Sequence, residues 1–360
     1  MTAPHRAARR PTPDPAPGGP GAATPATAWT EILRTLEDHC RRAPSRYNTQ
    51  PWRLAYERDR ITLHWDPART LPHTDPTRRD LFLSLGAFLE TCLIVAADAG
   101  LAVHARTDFD ETDCRAARLL PADTPYPTPF TTATVETRRT ARGPHRPGPL
   151  TGTELSAARD QLADLPSARL VHLHTRELAA LGRRADRWLL GTPPAVAELR
   201  TWLRPTSRHP RYTLDGLTDR ALGLTRPRAA ALAAAVSPPL HPLLRALGLP
   251  RLLAAARRSP LGYDGSVLIL VGDATGRHGP AATTPEGLIA HGRALVRTWY
   301  ALAEHGVGVH PLDALIDAPR TGPQLAARLG GEGRRVLAAF RAGHPVRQPE
   351  RSARIPARQG

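Results

Sequence analysis

Two stretches of this chain are too apolar to lie on a surface. Leu81–His104 reads LFLSLGAFLETCLIVAADAGLAVH, and Gly287–His310 reads GLIAHGRALVRTWYALAEHGVGVH. Each has the pattern of a long buried helix, a glycine stop and a short strand. They superpose at an offset of 206 positions, the separation of Gly86 and Gly292. The same offset carries Leu89 onto Leu295, Ala97 onto Ala303, Gly100 onto Gly306, Val103 onto Val309 and His104 onto His310. Asp98 meets Glu304, an acid for an acid. Two such helices need each other's cover. We therefore read an internal duplication, with these helices as the central pair, over a chance likeness of two Ala/Leu-rich segments.

At 360 residues the chain can bury a large core, in two domains or in two halves of one. The formal charge of +16 invites a nucleic-acid partner. However, all 49 basic residues are arginine, beside 38 prolines and abundant alanine. That is the mark of a GC-rich coding sequence, and the arginines are spread out instead of striped. No recognition helix, zinc-finger spacing or RNA-binding aromatic motif stands out, so no nucleic-acid partner is expected. Cys40, Cys92 and Cys114 are odd in number and far apart, which implies neither a disulfide framework nor a zinc site. No uncharged apolar run reaches membrane-spanning length, and no apolar segment follows the charged N-terminus. The expectation is a soluble cytoplasmic protein without a membrane partner.

In chain order, residues 1–27 are Pro/Ala/Gly/Arg-rich and read as a disordered tail. Trp29–Ala43 reads as an amphipathic helix, ended by Pro44. Strands are expected at Trp52–Tyr56, Ile61–Trp65, Leu101–Thr107 and Ala116–Leu120. Pro121–Thr131 is a Pro/Thr-rich connector, which divides the chain into a first half (28–130) and a second half (131–360). The second half continues with a helix at Thr153–Ala163, a strand at Arg169–His174 and a helix around Glu177–Trp188. A helix follows at Arg228–Val236, a helical hairpin at Pro238–Leu261, and a buried strand at Ser266–Gly272. The last helix is expected near Gln324–Arg341. Residues 205–261 read as a surface cover, a lid or a pocket wall. No nucleophile, metal cluster or paired-carboxylate signature stands out.

Four sequence features together resemble the nitroreductase family, the FMN-dependent α+β oxidoreductases that are normally intertwined homodimers. APSRYNTQPW (Ala43–Trp52), after a helix and before a strand, resembles the family's flavin-contacting loop. The resemblance assigns flavin contacts to Pro44, Ser45 and Asn48, while Gln50 and Trp52 hold the loop to the sheet. Arg138–Arg139–Thr140–Ala141–Arg142, followed by Pro149–Leu150, resembles the family's subunit-opening motif. This implies that Arg138, Thr140 and Arg142 grip the FMN phosphate; guanidinium forks match phosphate oxygens. Gly306–Val307–Gly308–Val309–His310–Pro311–Leu312–Asp313 resembles the strand and elbow facing the flavin edge, with Asp313 where the family often has Glu. The elbow residues are then Pro311, Leu312 and Asp313. The C-terminal Arg351-Ser352-Ala353-Arg354-Ile355-Pro356 resembles the basic tail that returns to the phosphate, with Arg351 and Arg354 as its cations.

A subunit-opening motif in mid-chain is where a duplication would put it. The first half lacks its own copy, since Ala22–Trp29 holds no arginine, and the second half lacks an APS loop. The resemblance therefore implies a nitroreductase-like fold of two fused halves mimicking the homodimer, as in the Acg-like single-chain branch. It implies one FMN per chain and a monomer that is a pseudo-dimer. The expected activity is NAD(P)H-dependent reduction of nitro or quinone-like compounds by hydride transfer through the flavin. A flavin-dependent dehydrogenase or oxidase tailoring a natural product, and a non-catalytic FMN-sequestering protein, are the alternatives. His310, beside the elbow, is either a proton donor or a packing residue, and His104 at the duplicated position suggests packing.

Overall fold

The computed structural model describes residues 28–248, 261–329 and 333–357. The expected N-terminal tail, and much of the hairpin expected over Pro238–Leu261, lie outside these residues. The fold is α+β. In the first half, β1 (Trp52–Tyr56) and β2 (Ile61–Trp65) precede a long helix (Arg79–Asp98), which is followed by β3 (Val103–Asp110) and β4 (Arg115–Pro121). These strands form an antiparallel sheet in the order β1-β2-β4-β3.

The second half contributes β5 (Ala168–His174), a short parallel pair β6 (Leu203–Arg204) and β7 (Leu217–Thr218), and β8 (Ser266–Asp273). A second long helix (Pro285–Glu304) leads into β9 (Gly308–Pro311) and β10 (Arg334–Gly343). The second antiparallel sheet runs β5-β8-β10-β9. Both sheets thus have the same plan: two strands, a long helix, then two strands that enter in reversed spatial order.

The two long helices pack on each other at the centre. A Cβ on Gly86 would lie 2.1 Å from the Ile289 carbonyl oxygen, and one on Gly292 would lie 2.2 Å from that of Leu83. Ile289 and Leu83 are themselves related by the 206-residue offset. The contact is therefore reciprocal, as at a two-fold interface. Only glycine allows this approach. The helix ends match as well. Gly100 (φ +73°) and Gly306 (φ +71°) adopt the left-handed conformation that stops a helix. Their amides donate to Ala97 and Ala303, and the next amides, of Leu101 and Val307, donate to Ala96 and Leu302. Arg79–Asp98 is long and apolar enough to cross a membrane, but it is buried along nearly its whole length inside the fold.

Two expectations need correction. Trp29–Ala43 is not one helix: it breaks at Leu36 into Trp29–Thr35 and Glu37–Cys40. The helix expected over Gln324–Arg341 is Thr321–Leu329, and Arg334–Gly343 is instead the central strand β10. Gly333, at φ +85°, separates the two. The run Val336–Gly343 is buried and pairs with β8 on one edge and β9 on the other. A short apolar run has no period to choose helix over strand, and the open edges of β8 and β9 decide it.

Substituting Gly86→Ala or Gly292→Ala should lower the unfolding free energy by on the order of 3 kcal/mol each, through overpacking against backbone. This outweighs the roughly 1 kcal/mol gained in helix propensity. Denaturant unfolding checks it; a variant as stable as the parent would refute the close crossing.

Candidate functional site

A cavity of about 260 Å³ lies between the halves. The central helices supply Leu83, Ser84, Ala87, Leu295 and Trp299 to its wall. Pro44, Ser45, Arg46 and Tyr47 come from the loop before β1, Thr140 and Arg142 from the mid-chain motif, and His310, Pro311, Leu312 and Asp313 from β9 and the turn after it. The remaining wall is mostly aliphatic, with Leu189, Leu199, Leu203, Leu217, Leu222, Leu232 and Leu261 among its side chains, and also includes Asp80 and Asp186. Leu217, Leu222, Leu232 and Leu261 thus place parts of the stretch expected as a cover, lid or pocket wall in the cavity wall.

The loop before β1 is held in an unusual conformation. Tyr47, Asn48 and Gln50 all have φ between +50° and +56°, the left-handed region that non-glycine residues seldom adopt. Side-chain hydrogen bonds hold it there. The Asn48 amide donates to the carbonyls of Ala353 (3.0 Å) and Gly216 (3.3 Å). Gln50 donates to the Leu214 carbonyl and accepts from the Ile355 amide, each at 2.9 Å. Gln50 therefore ties the loop to residues 203–218 and the C-terminal tail, not to the sheet as expected. Trp52 stacks on Phe88 of the first central helix, with centroids 4.6 Å apart.

The mid-chain motif is positioned by the second sheet. Thr140 bridges Val309 in parallel, and the Ala141 amide donates to the Val309 carbonyl at 2.7 Å. Gly308 makes room, since a Cβ there would lie 2.5 Å from that of Ala141. From β10, the Arg341 guanidinium donates to the carbonyls of Ala141, Arg142 and Gly143.

Beside this motif lies a cluster of arginines with little negative charge to offset it. Arg138 is buried; one of its nitrogens reaches the Arg42 carbonyl at 3.3 Å, while Nε and Nη1 are buried without a hydrogen-bond partner. Arg354 donates to Asn48 Oδ1 at 2.8 Å and to the carbonyls of Arg41, Arg42 and Ala43. Burial, and then Arg42 and Arg138, push the Arg354 pKa well below the usual value. Burial and Arg351 lower Arg42 to about 10, and burial lowers Arg142 to about 10. Arg351 lies at the exposed edge and pairs with Glu136 at 2.8 Å. Buried cations held together without matching acids are costly, and they mark a place suited to an anion.

Arg46, Asp80 and Asp313 of the cavity wall belong to an acidic group of which the sequence pointed only to Asp313. Arg46 pairs with Asp80 at 2.5 Å and with Asp317 at 2.6 Å; Arg79 pairs with the same two at 2.7 and 2.9 Å. Asp75 and Asp313 adjoin this network. Burial and the charge of Asp80 raise Asp75 to about 8 and Asp313 to about 7. Asp313 and Asp317 stand at helical spacing, but Asp75 and Asp80 lie in another half of the chain, so only the fold brings the four together. Among the described residues no His/Cys/Asp/Glu group is arranged to hold a metal ion.

Of the residues singled out from the sequence, the cavity brings together Pro44, Ser45, Thr140, Arg142, His310, Pro311, Leu312 and Asp313. Asn48, Arg138, Arg351 and Arg354 do not line it. Arg138 and Arg354 lie in the arginine cluster, and Asn48 is turned onto Arg354 and the tail.

No family model matches the chain. A putative NAD(P)H nitroreductase of Mycobacterium tuberculosis (strain H37Rv) is 38% identical over 82 residues, covering 23% of this chain and 24% of that protein. The putative NAD(P)H nitroreductase acg of the same organism is 35% identical over 71 residues, covering 20% of this chain and 22% of that one. The chain thus matches about a quarter of the length of these curated relatives. Among solved structures, the FMN and NADPH-dependent nitroreductase NfnB from sphigopyxis sp. strain HMH is 16% identical, with a TM-score of 0.33 over 64% of this chain and 94% of that one. A nitroreductase with bound FMN from Desulfitobacterium hafniense DCB-2 is 14% identical, with a TM-score of 0.32 over 63% and 95%. In the segment shared with its mycobacterial relatives, the chain resembles the nitroreductase family.

Proposed function

We propose that this protein is an FMN-dependent oxidoreductase that reduces nitro or quinone-like compounds with NAD(P)H. The observation that carries the reading is the arginine cluster at the junction of the halves, with two buried guanidinium nitrogens of Arg138 left without acceptors. A phosphate monoester supplies the missing charge and acceptors together. Arg138, Thr140 and Arg142 would hold that phosphate, with Arg42 and Arg354 behind them. Pro44, Ser45, Pro311, Leu312 and Asp313 would bound the ring system in the adjoining cavity. Asn48 and Arg354 lock the C-terminal tail against the loop, and Arg351 closes the edge through Glu136.

When bound, the flavin supplies hydride chemistry; the chain supplies binding, orientation and exclusion of water. Trp299 and the leucines of the wall would shield the ring system from water. The duplication proposed from the sequence gives a monomer that carries one flavin. The aliphatic extent of the wall also favours a second reading, in which the flavin tailors a bulky apolar product without nicotinamide.

The purified protein should carry one FMN, and its visible band should bleach on anaerobic titration with NADPH. A band that dithionite bleaches but NADPH does not would favour the second reading. A colourless protein that takes up no added FMN would end both.

Arg138→Ala with Arg142→Ala removes two charge-assisted phosphate contacts of about 1.5–3 kcal/mol each, so flavin affinity should fall on the order of a hundredfold or more. In the flavin-free protein, Arg138→Met should instead raise stability by on the order of 1 kcal/mol, because it removes an uncompensated buried charge. Loss of stability with full flavin occupancy would show that Arg138 serves the fold and not the phosphate.

A further inference from the structure

The acidic group beside the cavity holds more carboxyls than its arginines can neutralise. Four carboxyls, of Asp75, Asp80, Asp313 and Asp317, share two guanidinium groups, of Arg46 and Arg79. Asp80 and Asp317 each pair with both arginines. Among the described residues, Asp75 and Asp313 pair with neither. The two carboxyls outside the ion pairs are drawn toward their neutral forms, first by burial and then by the Asp80 charge. Asp75 is buried away from the cavity, and its Oδ2 accepts the Leu81 amide at 2.9 Å. Asp313 lines the cavity, next to Leu312 and His310 and across from Ser45 and Ser84.

We propose that Asp313 is the proton donor of the reaction: its carboxyl lines the cavity, stands outside the ion pairs of Arg46 and Arg79, and protonates the bound acceptor. This rests on the oxidoreductase reading above. A quinone carbonyl that gains a hydride must also gain a proton. A bound, reduced flavin would supply the hydride with both electrons. The O–H bond of the Asp313 carboxyl breaks, a new O–H bond forms on the acceptor oxygen, and solvent later returns a proton to the carboxylate. His310 stays a packing neighbour in this scheme.

The charged and titratable groups around Asp313 come from every element packed on it. They are Arg46 and Tyr47 of the loop, Arg79 and Asp80 of the first central helix, Asp317 of its own helix, Arg142 of the mid-chain motif and His310 of β9. Burial, and then the charges of Asp80 and Asp317, raise Asp313 from 3.8 to about 7 against the pull of Arg46 and Arg79. The folded protein therefore holds a proton that the unfolded chain has released between about pH 4 and pH 7. Its stability should fall as pH rises through that window.

The test uses Asp313→Asn and, as the variant that keeps a carboxyl, Asp313→Glu. In flavin-free protein, pH-dependent unfolding should show one fewer proton taken up on folding between pH 4 and 7 for Asp313→Asn. An unchanged proton count would overturn the proposal. In flavin-loaded protein reduced with dithionite, reoxidation by a quinone should slow on the order of a hundredfold in Asp313→Asn and recover in part in Asp313→Glu. For the parent, the same rate should fall about tenfold per unit as pH rises above 7. If Asp313→Asn binds flavin and is reoxidised as fast as the parent, Asp313 is not the donor, while the oxidoreductase reading stands. Failure of the parent to bind flavin would sink that reading instead, and the unfolding measurement would still decide the protonation of Asp313.

Discussion

The crossing of the two central helices is the constraint on which the remainder of the structure depends. Gly86 and Gly292 bring each helix backbone against a carbonyl of the other, closer than any side chain would permit. Around that point the core closes on Phe88, Leu89, Tyr300 and Leu302. The Thr91 hydroxyl meets that of Tyr300 across the crossing at 2.8 Å. The close approach fixes how far apart the two sheets stand. It also sets Leu83, Ser84 and Ala87 opposite Leu295 and Trp299, where the cavity forms.

The plan of the core is symmetric, but its use is not. The 206-residue offset carries Ala87, which leaves room at the cavity, onto Arg293. That side chain pairs with Glu90 at 2.7 Å, and Glu90 also receives Arg297 at 3.3 Å and the Tyr126 hydroxyl at 2.7 Å. Tyr126 comes from the connector between the halves. Arg297 continues the network to Asp164 at 2.5 Å. Glu90 is wholly buried, yet its charge is balanced and its oxygens are bonded. Where one side of the pseudo-symmetric core opens a cavity, the equivalent side is closed by a satisfied ion-pair network.

Much of this was legible in the sequence because it is local. The strands at Trp52–Tyr56 and Ile61–Trp65, and the glycine stops at Gly100 and Gly306, follow from alternation and from the conformation that only glycine enters freely. The helix pair was legible because each half carries its own copy of the pattern. What failed was non-local. Arg334–Gly343 becomes a strand because β8 and β9 leave edges for it to fill, which no window of eight residues records. The acidic group was invisible because Asp75 and Asp80 meet Asp313 and Asp317 only after the halves dock. Gln50 was read as a sheet contact, yet its partners, Leu214 and Ile355, come from the second half.

Several departures from ordinary protein chemistry occur at and around the cavity. Three consecutive-region residues with left-handed backbone, Tyr47, Asn48 and Gln50, cost of order 1–3 kcal/mol each unless their surroundings hold them. Arg138 is buried with donors unmet, and the acidic group carries more carboxyls than cations. Tyr47, Asp80 and Asp313 among them line the cavity. On the opposite side of the same core, Glu90 and its arginines obey every rule of burial and pairing. A chain that satisfies its polar groups at one pseudo-equivalent position and leaves them strained, unmet or protonated at the other is not badly folded. Under the proposed function, the unmet guanidinium nitrogens of Arg138 would meet the phosphate of the ligand and the cavity residues its ring, so that binding would offset what these groups cost the fold.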